Sequence, residues 1–265
     1  MEELIAQYTG ADEDSRLTRQ YIAQIEYDTT MHVLKPYWKA GKKLCELGAA
    51  TGRYALAFAE QGCDVTAVEL APEQVELMRQ QAKERQLTLT MYEGDACDVS
   101  FIGDASQDVC LMLGPMYHLT TVEQRNQAIA EAKRILKPGG ILAVAYISRF
   151  FVAGLFAKHW PRLMTPAVLN ELLQQGTVSA TEADSFFRVG YFSTPAEAEG
   201  WVTQVGFRLE NHVATDGYVR YLAESVNHFS PEQYQAWLQQ HLQHCHESSL
   251  LGSSNHGLVI ARKSA

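Results

Sequence analysis

The sequence is short of basic charge: 22 lysines and arginines stand against 31 acidic residues, a net charge of −9 over 265 residues. A large nucleic-acid interface needs a basic face, so we expect no nucleic-acid partner unless a local basic patch surrounds a site. No apolar run reaches the length of a membrane-spanning helix, and the acidic first residues, MEEL, lack the apolar core of a signal peptide. We therefore expect no membrane association and a cytoplasmic location.

Cysteines are few, odd in number and without the Cys-x-x-Cys spacing of metal or redox sites. Two of them fall within apolar runs, where a free cysteine behaves as a small hydrophobic residue. This pattern predicts a reduced protein, as is usual in the cytoplasm. The five cysteines are Cys45, Cys63, Cys97, Cys110 and Cys245.

The common phosphate-binding motifs are missing from the first strand-to-helix turn, which has neither Gly-x-Gly-x-x-Gly nor a following Gly-Lys-Ser/Thr. In their place, residues 44–53 read LCELGAATGR, a short apolar strand that leads through two glycines into a helix. Gly48 can adopt a backbone conformation that a side chain forbids, and Gly52 lets the helix lie close to the sheet. Ligands of open α/β sheets bind at such turns, although an ordinary connecting loop would also carry these glycines.

Two carboxylates accompany this turn: Glu46 ends the first apolar run just before Gly48, and Glu69 ends the second run. A helix N-terminus attracts anions, but a carboxylate at its mouth repels a pyrophosphate and suits a cationic ligand. A carboxylate at the end of the second strand can accept both hydroxyl groups of a ribose. A positively charged nucleoside satisfies both acids, and S-adenosylmethionine is such a compound.

Four ordered stretches make the pattern more specific: ELGAATG at 46–52, VTAVEL at 65–70, GDA at 94–96 and DVCLMLGPMYHL at 108–119, followed by LKPGG at 136–140. Together they resemble the class I S-adenosylmethionine-dependent methyltransferases, of the bacterial methyltransferase-domain kind, over about residues 40 to 148. Ala50 departs from the resemblance, since many relatives carry a middle glycine there. Alanine is small, so we expect only a slightly altered turn.

The resemblance implies an α/β fold: a three-layer, doubly wound Rossmann-like sandwich with a seven-stranded, mostly parallel sheet of order 3-2-1-4-5-7-6. It also implies S-adenosylmethionine as cofactor and S-adenosylhomocysteine as product. Glu46 would meet the methionine amine, Glu69 the ribose, and the Leu113 carbonyl would accept from the amine. Around the adenine and along the floor, the resemblance places Gly48, Ala49, Gly52, Leu70, Gln74, Asp95 and Ala96.

We expect one domain of four parts: a helical cap at 1–39, a cofactor-binding core at 40–148, an aromatic helical insertion at 149–192 and the rest of the sheet at 193–265. The insertion can be a substrate lid, extra core or a dimer face, and the sequence is silent on oligomeric state. Apolar periodicity predicts strands at 42–47, 64–69, 87–92, 108–113, 141–147, 207–214 and 257–263. Helices are predicted at 51–61, 72–86 and 121–136, after a capping box at 194–197 and after Ser230.

The segment after the fourth strand carries the candidate catalytic residues His118 and Tyr117. Because histidine ordinarily has a pKa near neutrality, His118 is either a general base or a hydrogen-bonded residue that orders the pocket. Tyr117 either stacks on a substrate and orients the methyl group or has a structural role. Gly114 stands where enzymes that methylate planar amines carry an Asn or Asp acceptor, so methylation of a base amine is disfavoured.

Further polar residues have two interpretations each. Arg149 either binds a substrate carboxylate or pairs with an acid of the pocket. The histidines and cysteine near the end of a late helix either bind a metal or interact with the helix dipole, and we expect no metal. In the N-terminal part, several aromatic and arginine side chains have two interpretations. Either they reach the ligand, or the aromatic rings pack on the sheet and the arginines lie in solvent. The late-helix residues are His241, His244 and Cys245. The N-terminal residues are Tyr8, Arg16, Arg19, Tyr21 and Tyr27.

The sequence thus predicts a methyltransferase that moves the sulfonium methyl group to an O or N nucleophile of a small or medium-sized acceptor by in-line displacement. Three alternatives stay open: an RNA- or tRNA-directed methyltransferase, a non-catalytic S-adenosylmethionine-binding module and an NAD-type oxidoreductase. The glycine spacing and Glu46 speak against the oxidoreductase.

Overall fold

A seven-stranded sheet forms the centre of the protein; the computed structural model describes residues 5, 17, 19–179 and 190–264. The strand order is β3-β2-β1-β4-β5-β7-β6, and β7 runs antiparallel to both of its neighbours while the other pairs are parallel. This confirms the expected fold and strand order. The strands are β1 Lys43–Leu47, β2 Asp64–Glu69, β3 Thr90–Glu93, β4 Gln107–Met112, β5 Leu136–Ile147, β6 Phe207–Ala214 and β7 His256–Lys263.

Helices lie on both faces of this sheet. The α-helices are α1 Tyr21–Leu34, α2 Arg53–Glu60, α3 Pro72–Glu84, α4 Val122–Ile135, α5 Arg149–His159, α6 Pro166–Asn170, α7 Pro195–Thr203, α8 Ala223–Val226, α9 Pro231–His244 and α10 Ser248–Leu251. Short 3-10 turns cover Lys35–Tyr37, Pro115–Tyr117, Pro161–Leu163 and Val219–Leu222, and a π turn covers Glu171–Gln175. Within the described residues, no helix has both the length and the apolar character needed to cross a membrane.

Three helix starts are fixed by capping boxes, in which a side-chain oxygen accepts a backbone N–H three residues on. Thr121 caps α4, Thr194 caps α7 and Ser230 caps α9, each with the reciprocal bond from a Glu or Gln. Such a cap stabilises a helix by about 1 kcal/mol. The sequence signals at these positions were therefore sufficient to place the helix starts.

The two layers of helices follow from strands that are buried on both faces, as is typical of a parallel sheet. Along β1, Leu44 packs with Val33 and Phe58 on one face. Its neighbour Cys45 packs with Ala128 of α4 on the other face. This alternation confirms the three-layer arrangement.

Element boundaries differ from the prediction where glycine or register, rather than hydrophobic pattern, sets the end. Helix α2 starts at Arg53, after Gly52 in a left-handed conformation, and not at 51. Strand β3 begins at Thr90 and not at 87. Strand β5 begins at Leu136, because Leu136 already pairs with β4 before a register shift absorbs the Pro-Gly-Gly residues that we expected to lie outside the strand.

The described part of the aromatic insertion folds over the carboxyl ends of β4 and β5. Its apolar side chains form a separate cluster with Tyr117 and Ile147, whose other members include Val152, Phe156 and Leu163. Phe186 and Phe187 of the insertion, and Tyr8 and Arg16 of the N-terminal cap, lie outside the described residues. The insertion therefore adds a layer above the edge of the sheet where ligands bind.

Candidate functional site

A cavity of about 630 Å³ opens at the carboxyl ends of β1, β2 and β4, within the size range of small-molecule sites. Helices α1 and α5 contribute to its walls. Every predicted site residue except Gly52 and Gln74 lines this cavity. Those that do are Glu46, Gly48, Ala49, Glu69, Leu70, Asp95, Ala96, Leu113, Tyr117 and His118.

The glycines of the first turn have different roles. Gly48 has φ +75°, and a Cβ there would lie 2.7 Å from Cγ and Cδ of Pro115, so only glycine lets the two turns touch. Gly52 has φ +84°, and its Cβ would meet Met78 of α3 at 2.6 Å. Gly52 therefore supports the floor from below, through the contact between α2 and α3, and does not reach the cavity. Gln74 likewise lies buried on α3, away from the wall.

Ala50 stands in the left-handed region that glycine favours, with φ +48°. A non-glycine residue there costs roughly 1–2 kcal/mol. The turn nevertheless keeps its hydrogen bonds, since the Ala50 N–H donates to Oε2 of Glu69 at 2.8 Å. The missing middle glycine therefore leaves a strained turn of unchanged connectivity.

Glu46 lies at the back of the cavity and is 2% exposed. Its Oε2 has no hydrogen-bond partner among the described residues. Burial, with a smaller contribution from the charge of Glu69, raises the pKa of Glu46 to about 8, against a backbone hydrogen bond from Ala55 that lowers it. Because an unpaired buried carboxylate is unfavourable, this position suits a cationic group supplied by a ligand.

Glu69 is held in one orientation by two backbone N–H groups. Oε2 accepts from Ala50 at 2.8 Å and Oε1 accepts from Ala71 at 2.9 Å. A carboxylate oxygen accepts more than one hydrogen bond. Glu69 is thus pre-oriented in the cavity wall, and its oxygens retain the capacity to accept a pair of hydroxyl groups.

The turn after β3 forms the next part of the wall. Asp95 accepts the N–H of Cys97 through Oδ1 at 2.8 Å, which closes a tight turn around Ala96. Ala96 is buried and packs with Val99 and Ile102. A narrow wall with one carboxylate, one backbone segment and the apolar Leu70 suits a flat polar ring such as adenine.

Tyr117 is fixed by both of its oxygen atoms. Its hydroxyl donates to the Leu113 carbonyl at 3.0 Å, and its own carbonyl accepts from the N–H of Tyr191 at 2.8 Å. The ring of His118 stands edge-on at 4.8 Å from the Tyr117 ring. The Leu113 carbonyl therefore already accepts one hydrogen bond, and the predicted contact with a ligand amine requires its second lone pair.

Arg149 does not line the cavity, which corrects the expectation that it serves a substrate or a pocket acid. Its guanidinium is 3% exposed and pairs with Glu197. It also donates to the carbonyls of Phe192 at 2.9 Å and Leu173 at 3.1 Å. The buried side chain anchors the insertion to α7, because a planar guanidinium satisfies several acceptors at once.

The remaining candidates mostly pack. Tyr21 stacks on Tyr234 with the ring centroids 4.2 Å apart, Tyr27 lies 5.2 Å from the Tyr54 ring, and Arg19 lines the cavity. His241, His244 and Cys245 each contact a backbone carbonyl. They do not converge on a common point as metal ligands do.

Residues that sequence reasoning missed complete the cavity. Arg53 directly follows the glycine turn and lines the wall, so its position was a usable signal. Arg220 and His256 line the opposite end and contact the buried acids Glu26 and Asp216. No local pattern could indicate this second group, because its members are far apart in the chain.

Comparison with known proteins identifies the fold and the cofactor. Residues 45–144 match the family model of a methyltransferase domain. A solved S-adenosylmethionine-dependent methyltransferase of Methanosarcina mazei has the same fold, with a TM-score of 0.62 at 18% identity over 88% of this chain and 97% of that one. Residues 45–144 are thus a methyltransferase domain, and the chain is similar to S-adenosylmethionine-dependent methyltransferases in sequence and fold. The cofactor of this family is S-adenosylmethionine.

Two relatives with curated names match the core. Demethylmenaquinone methyltransferase of Tropheryma whipplei (strain Twist) is 32% identical over 117 residues, 43% of this chain and 46% of that protein. Ubiquinone biosynthesis O-methyltransferase of Xylella fastidiosa (strain 9a5c) is 26% identical over 172 residues, 65% of this chain and 63% of that protein. The chain thus spans about half the length of the first relative and less than two thirds of the second.

The residues of the cavity fit this cofactor. The unpaired Oε2 of Glu46 accommodates an ammonium group. The floor at Gly48 has no room for a side chain, so the backbone itself faces the ligand. The Nε of Arg53 is also buried without a hydrogen-bond partner among the described residues, which leaves a cation for a ligand carboxylate. The amino and carboxyl groups of a methionine moiety match these two charges.

Proposed function

We propose that the protein transfers the sulfonium methyl group of S-adenosylmethionine to an O or N nucleophile of a small or medium-sized acceptor by in-line displacement. The observation that carries this proposal is Glu46, a buried carboxylate with an unpaired oxygen at the glycine turn of a methyltransferase fold. The cavity also extends past this turn to an apolar wall, which provides room for a second reactant. A non-catalytic binding module would need no such extension.

The chain's own residues hold the cofactor by its charged and polar groups. Glu46 accepts from the amine, Arg53 pairs with the carboxylate, Glu69 accepts from the ribose hydroxyls, and Asp95 with Ala96 encloses the adenine. The bound cofactor supplies a methyl group activated by the positive sulfur. Because positioning provides much of the rate of such a displacement, the protein's main task is to align the nucleophile and exclude water.

The acceptor end is mostly apolar. Its wall includes Ile147, Phe151, Val152 and Leu155, which suits a flat or hydrophobic acceptor. His118 is the candidate base that takes a proton from the nucleophile, and Tyr117 borders the reacting end. The names of the two relatives, which refer to menaquinone and ubiquinone precursors, support an acceptor of this small-molecule class.

Two observations argue against the nucleic-acid alternative. The net charge of −9 provides no overall attraction for a polyanion. Gly114, which lines the cavity, has no side chain to accept the N–H of a base amine. The proposal therefore takes a small molecule as partner.

Calorimetric titration of the full chain with S-adenosylmethionine, S-adenosylhomocysteine and NADH tests the proposal first. We expect saturable binding of the first two ligands and none of NADH. Binding of NADH alone would transfer the protein to the oxidoreductases, and binding of none of the three would contradict the cofactor assignment. A subsequent screen of phenolic and amine acceptors with methyl-labelled cofactor tests transfer itself.

A further inference from the structure

Four charged side chains from distant parts of the chain meet behind the acceptor end of the cavity. Glu26 comes from α1, Asp216 follows β6, Arg220 lies in the 3-10 turn Val219–Leu222, and His256 begins β7. Arg220 donates to Asp216 through Nε at 2.6 Å and to Glu26 at 2.9 Å. Nδ1 of His256 lies 3.0 Å from Glu26 and 3.5 Å from Asp216. Of the four, Arg220 and His256 face the cavity.

The charges of this group decide the protonation of His256. Nδ1 of His256 lies close to two buried carboxylates, those of Glu26 and Asp216. Their negative charges favour a proton on the imidazole. Burial by itself lowers the pKa of His256, but Glu26 and Asp216 outweigh it and hold this pKa above its usual value. The ring of Tyr117 also lies near His256, with a centroid distance of 6.1 Å. Burial and the charge of Asp216 raise the pKa values of Tyr146 and Tyr221, whereas burial outweighs that charge and lowers the pKa of His241.

The same charges argue against a metal ion at this place. One ligand atom from each of Glu26, Asp216 and His256 lies within 4.8 Å of the others, which is close enough for a shared cation. However, Arg220 already donates to both carboxylates. The guanidinium therefore occupies the position of the cation, and the site is a salt-bridge network.

The orientation of His256 leaves one nitrogen for a ligand. Nδ1 faces the two carboxylates, and the side-chain amide of Asn255 lies 2.9 Å from the same nitrogen. The amide atom at this distance is Nδ2, and a protonated Nδ1, which is a donor, requires the amide to turn so that its oxygen faces the ring. Nε2 has no hydrogen-bond partner recorded among the described residues, and the ring lines the cavity. A carboxylate on one ring nitrogen fixes the imidazole and directs the other nitrogen.

We propose that His256 is the acceptor-binding cation of the site: its Nε2–H donates to an oxyanion of the acceptor, a phenol or enol with a flat apolar body. This inference rests on the proposed function, because it names the acceptor class of the same cavity. The O–H bond of the phenol breaks when the oxyanion binds, and its proton passes through the candidate base His118 to solvent, so no bond to carbon is made or broken in this step. Phe151, Val152 and Leu155 supply the apolar contacts for the ring.

The test uses 4-nitrophenol, which is yellow only as the phenolate, and the full chain saturated with S-adenosylhomocysteine. At a pH where the free probe is mostly protonated, we expect bound probe to turn yellow, with its ionisation favoured about tenfold. His256→Gln should abolish this shift, and Glu26→Gln should reduce it, because one carboxylate no longer orients and charges the imidazole. His159→Gln is the matched control, since His159 also lines the cavity but is exposed on α5.

Two further readouts keep the result interpretable. Calorimetry with S-adenosylhomocysteine must give the same affinity in all variants; failure of the wild type to bind it would refute the proposed function and not this inference alone. Nitrogen chemical shifts of the wild-type histidines should show an imidazolium that titrates above the usual histidine range. A wild-type spectrum without the yellow shift, an equal shift in His256→Gln or a neutral His256 at pH 7 would overturn the inference.

Discussion

At the cofactor end of the cavity, the lining residues come from 46–96 and from Leu113 after β4. At the acceptor end they come from the segment of Tyr117 and His118, from α1 and α5, from the Val219–Leu222 turn and from the start of β7. The first end is assembled by successive strand-to-helix turns of a parallel sheet, which must meet at one edge. The second end depends on which distant segments pack over that edge. The first end is therefore built from local contacts along the chain, and the second from contacts between segments far apart in sequence.

Substitution of His118 tests whether this residue acts only at the acceptor end of the cavity and not at the cofactor end. If His118 is a general base, His118→Ala should slow transfer to the acceptor by about 10²- to 10⁴-fold, while the affinity for S-adenosylhomocysteine stays unchanged. Turnover is measured with the acceptor found by screening, and affinity by calorimetry. An unchanged rate would assign His118 a structural role.

A side chain at Gly48 should damage the cofactor end most. Gly48→Val places a Cβ 2.7 Å from the Pro115 ring and requires φ +75° of a β-branched residue, so we expect a loss of roughly 2–4 kcal/mol in the free energy of unfolding. Affinity for S-adenosylhomocysteine should fall at least about tenfold. Urea denaturation and calorimetry measure both.

The control for this variant is Gly103→Val, because a Cβ at Gly103 meets no atom within 4 Å. It should unfold at nearly the wild-type urea concentration and bind the ligand normally. Equal destabilisation by both variants would show that the Gly48 contact with Pro115 is unimportant.

The buried Glu46 should make stability and ligand binding depend on pH. Its pKa is about 8 in the folded protein, so between the unfolded value near 4.5 and pH 8 the folded state holds a proton that the unfolded chain has lost. Stability therefore falls as pH rises through this window. From pH 5 to pH 7 we expect roughly 2 kcal/mol of loss in the wild type relative to Glu46→Gln.

The same residue predicts proton release on cofactor binding. A bound ammonium group favours the carboxylate form, so binding near pH 7 should release about one proton from Glu46. Calorimetry of S-adenosylmethionine in two buffers of different ionisation enthalpy measures this number. Equal release in Glu46→Gln would place the titrating group elsewhere.

Removal of the ribose-binding carboxylate should weaken the cofactor end without unfolding it. Glu69→Ala loses hydrogen bonds to a charged group, each worth about 1.5–3 kcal/mol, so affinity for S-adenosylhomocysteine should fall about 10- to 100-fold. Glu93→Ala is the matched control, because Glu93 pairs with Glu69 in register on β3 and is exposed. Wild-type affinity in a folded Glu69→Ala protein would remove the ribose assignment.

The smallest effect is expected at the strained turn. Ala50→Gly relieves the left-handed conformation at φ +48° but adds backbone freedom to the unfolded chain, so we expect a gain of about 0.5 kcal/mol in stability. Ala105→Gly, at φ +47° and outside the cavity, should gain a similar amount. If only Ala50→Gly also changes cofactor affinity more than about twofold, the turn geometry itself limits binding.

Prediction from sequence succeeded where the signal was local. Thr121, Thr194 and Ser230 mark helix starts by side chains that bond three residues away, and β6 was placed at its observed residues, Phe207–Ala214. It failed at β5, where pairing with a neighbouring strand overrides the Pro-Gly-Gly signal.

Prediction of the site residues likewise failed where the deciding contact is not local in sequence. Gly52 was expected at the cavity, but its contact is with Met78, 26 positions along the chain. Arg149 was expected in the pocket, but its guanidinium binds Leu173, Phe192 and Glu197 instead. In each case the deciding neighbour is distant in sequence, so spacing carries no information about it.

The sequence by itself predicted the glycine turn and the acids Glu46, Glu69 and Asp95 near one edge of the sheet, because consecutive strand-to-helix units bring their turns to that edge. The strand order followed from the resemblance to class I methyltransferases. Only the tertiary structure decided that Oε2 of Glu46 has no partner among the described residues, that Gly52 lies against Met78, and that His256 stands before two buried acids. The physical reason is that burial and charge balance are sums over all neighbours, and most of those neighbours are remote along the chain.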